Sequence, residues 1–237
     1  MEISLFVTLN EVKGLKMMLT EILRFAQNDT FRFAIMKKII IFGGTFNPIH
    51  NAHLRMARHL KRKFKPDKIF FIPCYIPYHK NYQGLVAPKH RLEMARLAIA
   101  GIPGVAASDM DIKRGGRTFS IDTIRALKRK YKTGTEFYFV IGADSLVDLP
   151  RWYKIAELSR LCRFITIARP GYPFNTLARN MPFPKDVIDD MKRLYQSNPK
   201  MDISSTRIRE NIRTGKSVKS LVSKAVESYI KKYDLYK

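Results

Sequence analysis

Cysteine is nearly absent: Cys74 and Cys162 are the only two among 237 residues. Two thiols so far apart have no metal-ligand spacing and cannot build a multi-bridge framework, which argues against a zinc module or a disulfide-stapled secreted scaffold and fits a reducing cytoplasm. Long apolar runs are missing as well. No stretch reaches the ~18 residues a spanning helix needs, so no membrane partner is expected. No secretory signal is expected, since Glu2 and the polar run 8–13 interrupt the apolar stretch it would require. Acidic residues are scarce, 20 Asp+Glu against 44 Lys+Arg, for a net charge of +24. Such a surplus draws polyanions, either nucleic acid or phosphorylated metabolites. The basic residues are scattered over helical stretches such as 54–64 and 124–130 without an aromatic-interleaved tract, which argues against nucleic acid and places most of the charge on solvated faces. Internal repeats and low-complexity segments are also absent.

With 46% hydrophobic residues, the chain can bury one substantial core, a single domain with a small appendage. From residue 36 onward strand-like and helix-like pieces alternate. Ile39, Ile40, Ile41 and Phe42 form a continuously apolar run of the kind buried in a parallel sheet. Further strands are expected at 69–72, 105–108, 137–141 and 164–168. Helices are expected from about Asn51 through 64, after Pro88, over 121–131 with Ser120 as cap, and over 152–161. This alternation predicts an α/β fold, a doubly wound parallel sheet. The last third reads differently, with turn formers over 170–199 around a weak helix at 187–195. Helices then resume at 206–213 and 221–233, a small C-terminal helical part over 205–237. At the other end, Met36-Lys37-Lys38 runs straight into the first strand like an ordinary protein start. Residues 1–35 therefore read as an upstream start-site artefact, the alternative being an accessory amphipathic helix over 12–25.

The chemistry concentrates where the first strand ends, in Gly43-Gly44-Thr45-Phe46-Asn47-Pro48-Ile49-His50-Asn51-Ala52-His53. The glycines let the backbone turn sharply and approach a ligand closely. A helix starting near Asn51 would aim free amides and its positive dipole end at an anion, flanked by His50 and His53. A glycine-rich strand-to-helix turn alone is common in α/β proteins; what singles this one out is the whole string placed directly after a buried strand. A second element is Ile203-Ser204-Ser205-Thr206-Arg207-Ile208-Arg209. If Ser205 caps a helix, its hydroxyl, that of Thr206 and the first-turn amides make an anion nest with Arg209 pointing back toward it.

The string around the histidines resembles the nucleotidyltransferase signature Gly-Thr-Phe-Asp-Pro followed by His-x-Gly-His, and the string 203–209 is similar to the Ile-Ser-Ser-Thr-x-Ile-Arg signature of the same superfamily. Ile76-Pro77-Tyr78-His79-Lys80, Phe119-Ser120-Ile121-Asp122-Thr123, Ile141-Gly142-Ala143-Asp144-Ser145, Trp152-Tyr153 and Arg169-Pro170-Gly171-Tyr172 narrow the likeness to the nicotinate-nucleotide adenylyltransferase family over 36–237. The resemblance implies a Rossmann-like fold and adenylyl transfer from ATP to nicotinate mononucleotide, with nicotinate adenine dinucleotide and pyrophosphate as products. It implies catalytic roles for His50, His53 and Arg209. ATP is expected on Gly43, Gly44, Thr45, Phe46, Ser204, Ser205, Thr206 and Arg209, and the mononucleotide on Lys80, Ser120, Asp144, Trp152 and Tyr153. Mg²⁺ is expected to come with ATP, with no metal ligand assigned to the protein. A homo-oligomer is compatible with this reading.

Three positions depart from the family pattern: Asn47 where Asp is usual, Ala52 where Gly is usual, and Phe119-Ser120 in place of Tyr-Thr. The first is expected to remove a negative charge near the triphosphate, and the second to place a methyl, turned away from the nucleotide, in a helix first turn. Two alternatives remain: an adenylyl- or cytidylyltransferase acting on another phosphorylated metabolite would keep both signatures, and a non-catalytic nucleotide- or RNA-binding protein would suit the charge and the altered histidine motif.

Overall fold

Every other residue of the first strand faces a different core, which is why that strand has no polar side. In the computed structural model, β1 (Lys38–Gly44) sends Ile40 and Phe42 into one hydrophobic cluster and Ile39 and Ile41 into another. A strand buried on both faces must be continuously apolar. The residues described are 16, 17, 19, 20, 37–78, 84–131, 134–179, 181–197 and 203–237.

By its contacts the chain divides into Met1–Lys37 and Lys38–Lys237. In the first unit Lys16, Met17, Leu19 and Thr20 are helical, and the Thr20 hydroxyl donates to Lys16 O.

The second unit is a three-layer sandwich. After β1 come α1 (Asn51–Phe64), β2 (Lys68–Pro73), β3 (Ile76–Pro77), α2 (Pro88–Ile99), β4 (Val105–Ala107), α3 (Met110–Arg114), β5 (Arg117–Thr118) and α4 (Ser120–Lys130). Next are β6 (Glu136–Gly142), two 3₁₀ turns at Ala143–Leu146 and Leu149–Arg151, α5 (Ile155–Leu161), β7 (Arg163–Ile167), α6 (Phe174–Ala178), α7 (Lys185–Arg193), α8 (Ser205–Arg213) and α9 (Lys224–Lys232). Five strands form a parallel sheet in the order β4-β2-β1-β6-β7. The chain winds outward from β1 through β2 to β4, then returns to the other side of β1 to lay down β6 and β7. The direction therefore reverses between β1 and β6, and a crevice opens beyond their carboxyl ends, where sheets of this kind bind ligands.

This is the doubly wound sheet expected, with most boundaries displaced by a residue or two, the fifth helix starting at Ile155 instead of 152 and the last at Lys224 instead of 221. Ser120 does not cap α4: it is the first helical residue, and Phe119 precedes it as the flanking one. The sequence pattern has no counterpart for α3, α6, the two 3₁₀ turns or the two-residue parallel ladder of β3 with β5. The C-terminal helices pack into the sandwich itself. Ile208, Val226 and Ile230 share one cluster with Ile40, Leu54 and Leu60, so α8 and α9 complete the α1 face of the sandwich. Buried side chains of this size stabilise by about 1.5–3 kcal/mol each, so this face depends on the last third of the chain.

Candidate active site

The glycines do not make the turn. Gly43 and Gly44 are the end of β1, and the reversal falls on Thr45 to Pro48, where Phe46 takes a left-handed φ of 48°. What asks for glycine at Gly43 is space, since a Cβ there would stand 2.7 Å from Phe139 Cζ; one on Gly142, at the end of the neighbouring β6, would displace the Asp144 carboxylate. Two ends of adjacent strands are thus stripped of side chains where the crevice opens.

Two cavities share that floor. Both are bordered by Gly43, Gly44, Thr45, Val140, Gly142 and Ser145. On one side stand Phe46, His50, Ala52, His53, Asp144, Arg169 and Ser205. On the other, rings and hydroxyls dominate: Tyr78, Phe139 and Trp152 with Thr118, Ser120 and Thr123.

On the histidine side, α1 begins at Asn51 as expected, but two of its first three amides are already engaged within the protein. Asn51 N donates to Leu221 O at 2.9 Å and His53 N to His50 O at 2.9 Å. The imidazoles are what this helix end presents. Their rings lie 3.7 Å apart and 29° from parallel, and His53 Nδ1 accepts the His50 backbone N–H at 3.2 Å. Since that nitrogen accepts, the His53 proton resides on Nε2. His50 is buried, and its Nδ1 has no partner among the described residues. Burial, with the Arg169 cation adding to it, pushes His50 down to about 3. Burial, then His50, then Arg169 hold His53 well below the ordinary imidazole value. Both histidines are therefore neutral at pH 7, so neither is a usable general base there; each offers an N–H donor, and a phosphate arriving between them would raise both pKa values.

Arg169 lies across from them, with Nε 3.7 Å from Asp144 Oδ1. Asp144 is thereby placed on the histidine side and does not line the ring-lined cavity where the mononucleotide is expected.

The second motif also differs in detail. Ser204, not Ser205, caps α8, its hydroxyl accepting Arg207 N at 3.2 Å. Ser205 Oγ donates to Pro48 O at 2.9 Å, while Arg209 donates through Nη1 to Asn47 O at 2.8 Å and through Nη2 to Thr206 Oγ1 at 3.3 Å. The expected nest is thus closed onto the Asn47–Pro48 turn, and Ser205 is the member of this motif that lines the cavity. Arg209, with two of its guanidinium nitrogens so engaged, stands behind it.

Asn47 does not border the histidine-side cavity, where the triphosphate is expected. It is 1% exposed, with Nδ2 donating to Gly84 O at 3.0 Å and Oδ1 accepting from Val86 N at 3.2 Å and from Tyr236 OH at 2.9 Å. Ala52 is helical, as expected, but lines the cavity beside the histidines, so it does not stand clear of the site.

In the ring-lined cavity Trp152 meets Phe139 edge-on at 6.1 Å. Ser120 lines it from the start of α4. Tyr153 is outside, half-exposed, tilted against Phe119 at 4.8 Å, with Tyr78 on the other flank of Phe119 at 4.5 Å. Lys80 lies outside the described residues.

Two further residues of the site carry no mark in the sequence. Arg91, fully buried in α2, donates Nε to Val86 O at 3.0 Å, Nη1 to Thr45 O at 2.9 Å and Nη2 to Tyr75 O at 2.8 Å, binding the site turn to two other segments. Asp111 borders the ring-lined cavity and accepts from Thr123 at 2.8 Å and Arg114 at 2.7 Å; its burial raises its pKa against those partners. Locally, Arg91 reads as one more basic helix residue, and Asp111 as half of an ordinary acidic pair with Asp109.

No cluster of three or more metal-ligating side chains occurs among the described residues, and none of their helices is long and apolar enough to cross a membrane.

Comparison with known proteins agrees with this geometry. The family model described as cytidylyltransferase-like matches residues 41–211. A probable nicotinate-nucleotide adenylyltransferase of Citrifermentans bemidjiense is 41% identical over 211 residues, covering 83% of this chain and 96% of that protein. One of Dehalococcoides mccartyi is 39% identical over 201 residues, covering 83% and 95%. Among solved structures, the Plasmodium falciparum nicotinic acid mononucleotide adenylyltransferase complexed with NaAD superposes with a TM-score of 0.67 at 22% identity, covering 84% of this chain and 97% of that one. With a cytidylyltransferase-like match over most of its length and relatives of this identity and coverage, the chain belongs to the nicotinate-nucleotide adenylyltransferase family.

Proposed function

We propose that this protein transfers the adenylyl group of ATP to nicotinate mononucleotide, forming nicotinate adenine dinucleotide and releasing pyrophosphate, a late step of NAD biosynthesis. The observation that carries this reading is the pair of cavities meeting over Gly43, Gly44 and Thr45, one polar with two imidazoles and the other lined by rings and hydroxyls. ATP occupies the histidine side and the mononucleotide the Trp152 side, which brings the nucleophilic phosphate and the α-phosphorus together over the bare strand ends.

A nucleotide monophosphate has a second pKa near ~6 and is already a dianion at neutral pH, so it needs no general base. Histidines held neutral by burial suit that chemistry. They donate N–H groups to phosphate oxygens, Ser205 fixes the turn beneath them, and Arg209 with Arg169 supplies positive charge as pyrophosphate departs. Mg²⁺ arrives as part of the MgATP substrate; it prefers oxygen ligands and keeps several waters, a role the triphosphate fills without a protein cage. In the other cavity Trp152 offers a face for the pyridine ring, and the hydroxyls of Thr118 and Ser120 can donate to its carboxylate. The Asp111 carboxylate nearby is engaged by Arg114 and Thr123. Two buried cysteines, both free thiols, fit work in a reducing cytoplasm.

The test is pyrophosphate release with MgATP against a panel of nicotinate mononucleotide, nicotinamide mononucleotide and pantetheine phosphate. The expected result is the highest kcat/KM for the acid mononucleotide. Equal or better use of the amide overturns the substrate assignment, and no pyrophosphate with any acceptor overturns the enzymatic reading.

A further inference from the structure

The chain after α9 doubles back toward the ATP side of the site. Asp234 and Tyr236 take left-handed φ values of 52° and 69°, a conformation that non-glycine residues keep only where their surroundings impose it. The reversal buries Leu235 in the cluster that holds Val226 and Ile230, and packs Tyr236 against the same cluster. It also brings the Tyr236 hydroxyl to Asn47 Oδ1 at 2.9 Å, across 189 positions of sequence.

The direction of that bond is determined. Val86 N–H can only donate, and it reaches the same Oδ1, so this atom is the amide oxygen and Nδ2 faces Gly84 O. Tyr236 is therefore the donor. Burial pushes its phenol above the ordinary tyrosine range, which keeps the proton in place at working pH.

Asn47 is held from three directions through its side chain, and its main-chain oxygen is the acceptor for Arg209 Nη1. Its neighbour Pro48 accepts from Ser205. Any rotation of the Asn47 unit moves the carbonyl on which the Arg209 guanidinium rests. We propose that Tyr236 is a positioning residue for the ATP side of the site, fixing Asn47 so that its carbonyl holds the Arg209 guanidinium in place behind the cavity-lining Ser205. The proposal rests on the ATP assignment made above.

The variant is Tyr236→Phe, which keeps the ring in place. Asn47 Oδ1 retains the Val86 bond, so no buried acceptor is orphaned and folding should survive. Steady-state kinetics should show KM for ATP raised roughly three- to tenfold, KM for nicotinate mononucleotide within twofold, and a melting temperature only slightly lowered. The second measurement places Tyr236→Phe in an Arg209→Lys background. Lysine has no planar fork to bridge Asn47 O and Thr206 Oγ1 at once, so the further loss in ATP use should shrink below twofold there.

A change of less than threefold in KM for ATP, a parallel rise in both Michaelis constants, or a loss of full size in the Arg209→Lys background overturns the proposal. The unmodified protein is the control for the reading beneath it. Pyrophosphate release from that protein with an unchanged Tyr236→Phe variant overturns the positioning role alone, whereas no release from either overturns the ATP assignment with it.

Discussion

The two cavities differ in how they are made. The histidine side is assembled from short signatures at two distant places in the chain, and its polar atoms are tied by directional bonds: His50 N to His53 Nδ1, Ser205 Oγ to Pro48 O, Arg209 Nη1 to Asn47 O. The Trp152 side is assembled from rings and hydroxyls on five segments, with Phe139 meeting Trp152 and Phe119 meeting Tyr78 and Tyr153. Directional bonds fix charge at a point, as a transferring phosphoryl group requires. Packed rings fix a plane, as a flat heterocycle requires. One side should therefore govern turnover, and the other should govern which acceptor enters.

The largest expected effect tests that division. His53→Ala removes a neutral donor from the transition state and should lower kcat/KM by about a hundredfold or more, the scale of one lost electrostatic donor. KM for nicotinate mononucleotide should change little, and so should the melting temperature. Trp152→Ala should do the reverse, raising that KM about tenfold with kcat nearly kept. If His53→Ala instead lost activity in proportion to stability, the imidazole would be a packing element.

pH separates the two sides next. His50 sits near 3 in the folded protein and titrates near 6.5 when unfolded. Between those values the unfolded chain binds the extra proton, so stability is full above about pH 6.5 and falls as the solution is acidified toward 3. At pH 5 the loss from His50 alone is about 2 kcal/mol, from 1.5 units at 1.36 kcal/mol each. Chemical denaturation at pH 7 and pH 5 measures it. His50→Gln should lose correspondingly less over that interval, while Trp152→Ala should keep the parent slope. Identical slopes in the parent and His50→Gln would mean that burial does not hold this imidazole neutral.

What is legible without the structure follows the same divide. The parallel sheet is legible because doubly buried strands such as Ile39 to Phe42 have no polar side, and β6 repeats that pattern. The histidine side is legible because its residues lie in contiguous strings. The exceptions inside those strings come from partners far away in sequence. Asn47 reads as facing phosphate, yet its amide is occupied by Gly84, Val86 and Tyr236. Asp144 reads as a contact of the mononucleotide, yet it pairs with Arg169 across the other cavity. Arg91 and Asp111 have no local signal at all, since their roles exist only once the segments they join are brought together. The β3–β5 ladder, two residues long on each strand, is shorter than any periodicity can register.

The smallest effect concerns how finished the histidine side is. Ala52 occupies the first turn of α1, packs partly against the core and lines the cavity between His50 and His53, where the family usually has glycine. Its methyl gives this helix up to ~1 kcal/mol over glycine. Ala52→Gly should therefore lower the melting temperature by roughly 2–4 °C in a domain of this size. Its effect on ATP depends on whether the triphosphate passes over that methyl or beside it. With Gly43 and Gly44 bare beneath the cavity and Ser205 held down against Pro48, the open path runs over the strand ends. A triphosphate on that path reaches the imidazoles of His50 and His53 without passing over the Ala52 methyl. The Michaelis constant for ATP should accordingly change by less than threefold, about 0.7 kcal/mol. Steady-state kinetics of the two proteins side by side decide it: a tenfold gain in ATP use by the glycine variant would mean that the methyl crowds the phosphates and that the polar cavity is narrower than its occupant needs.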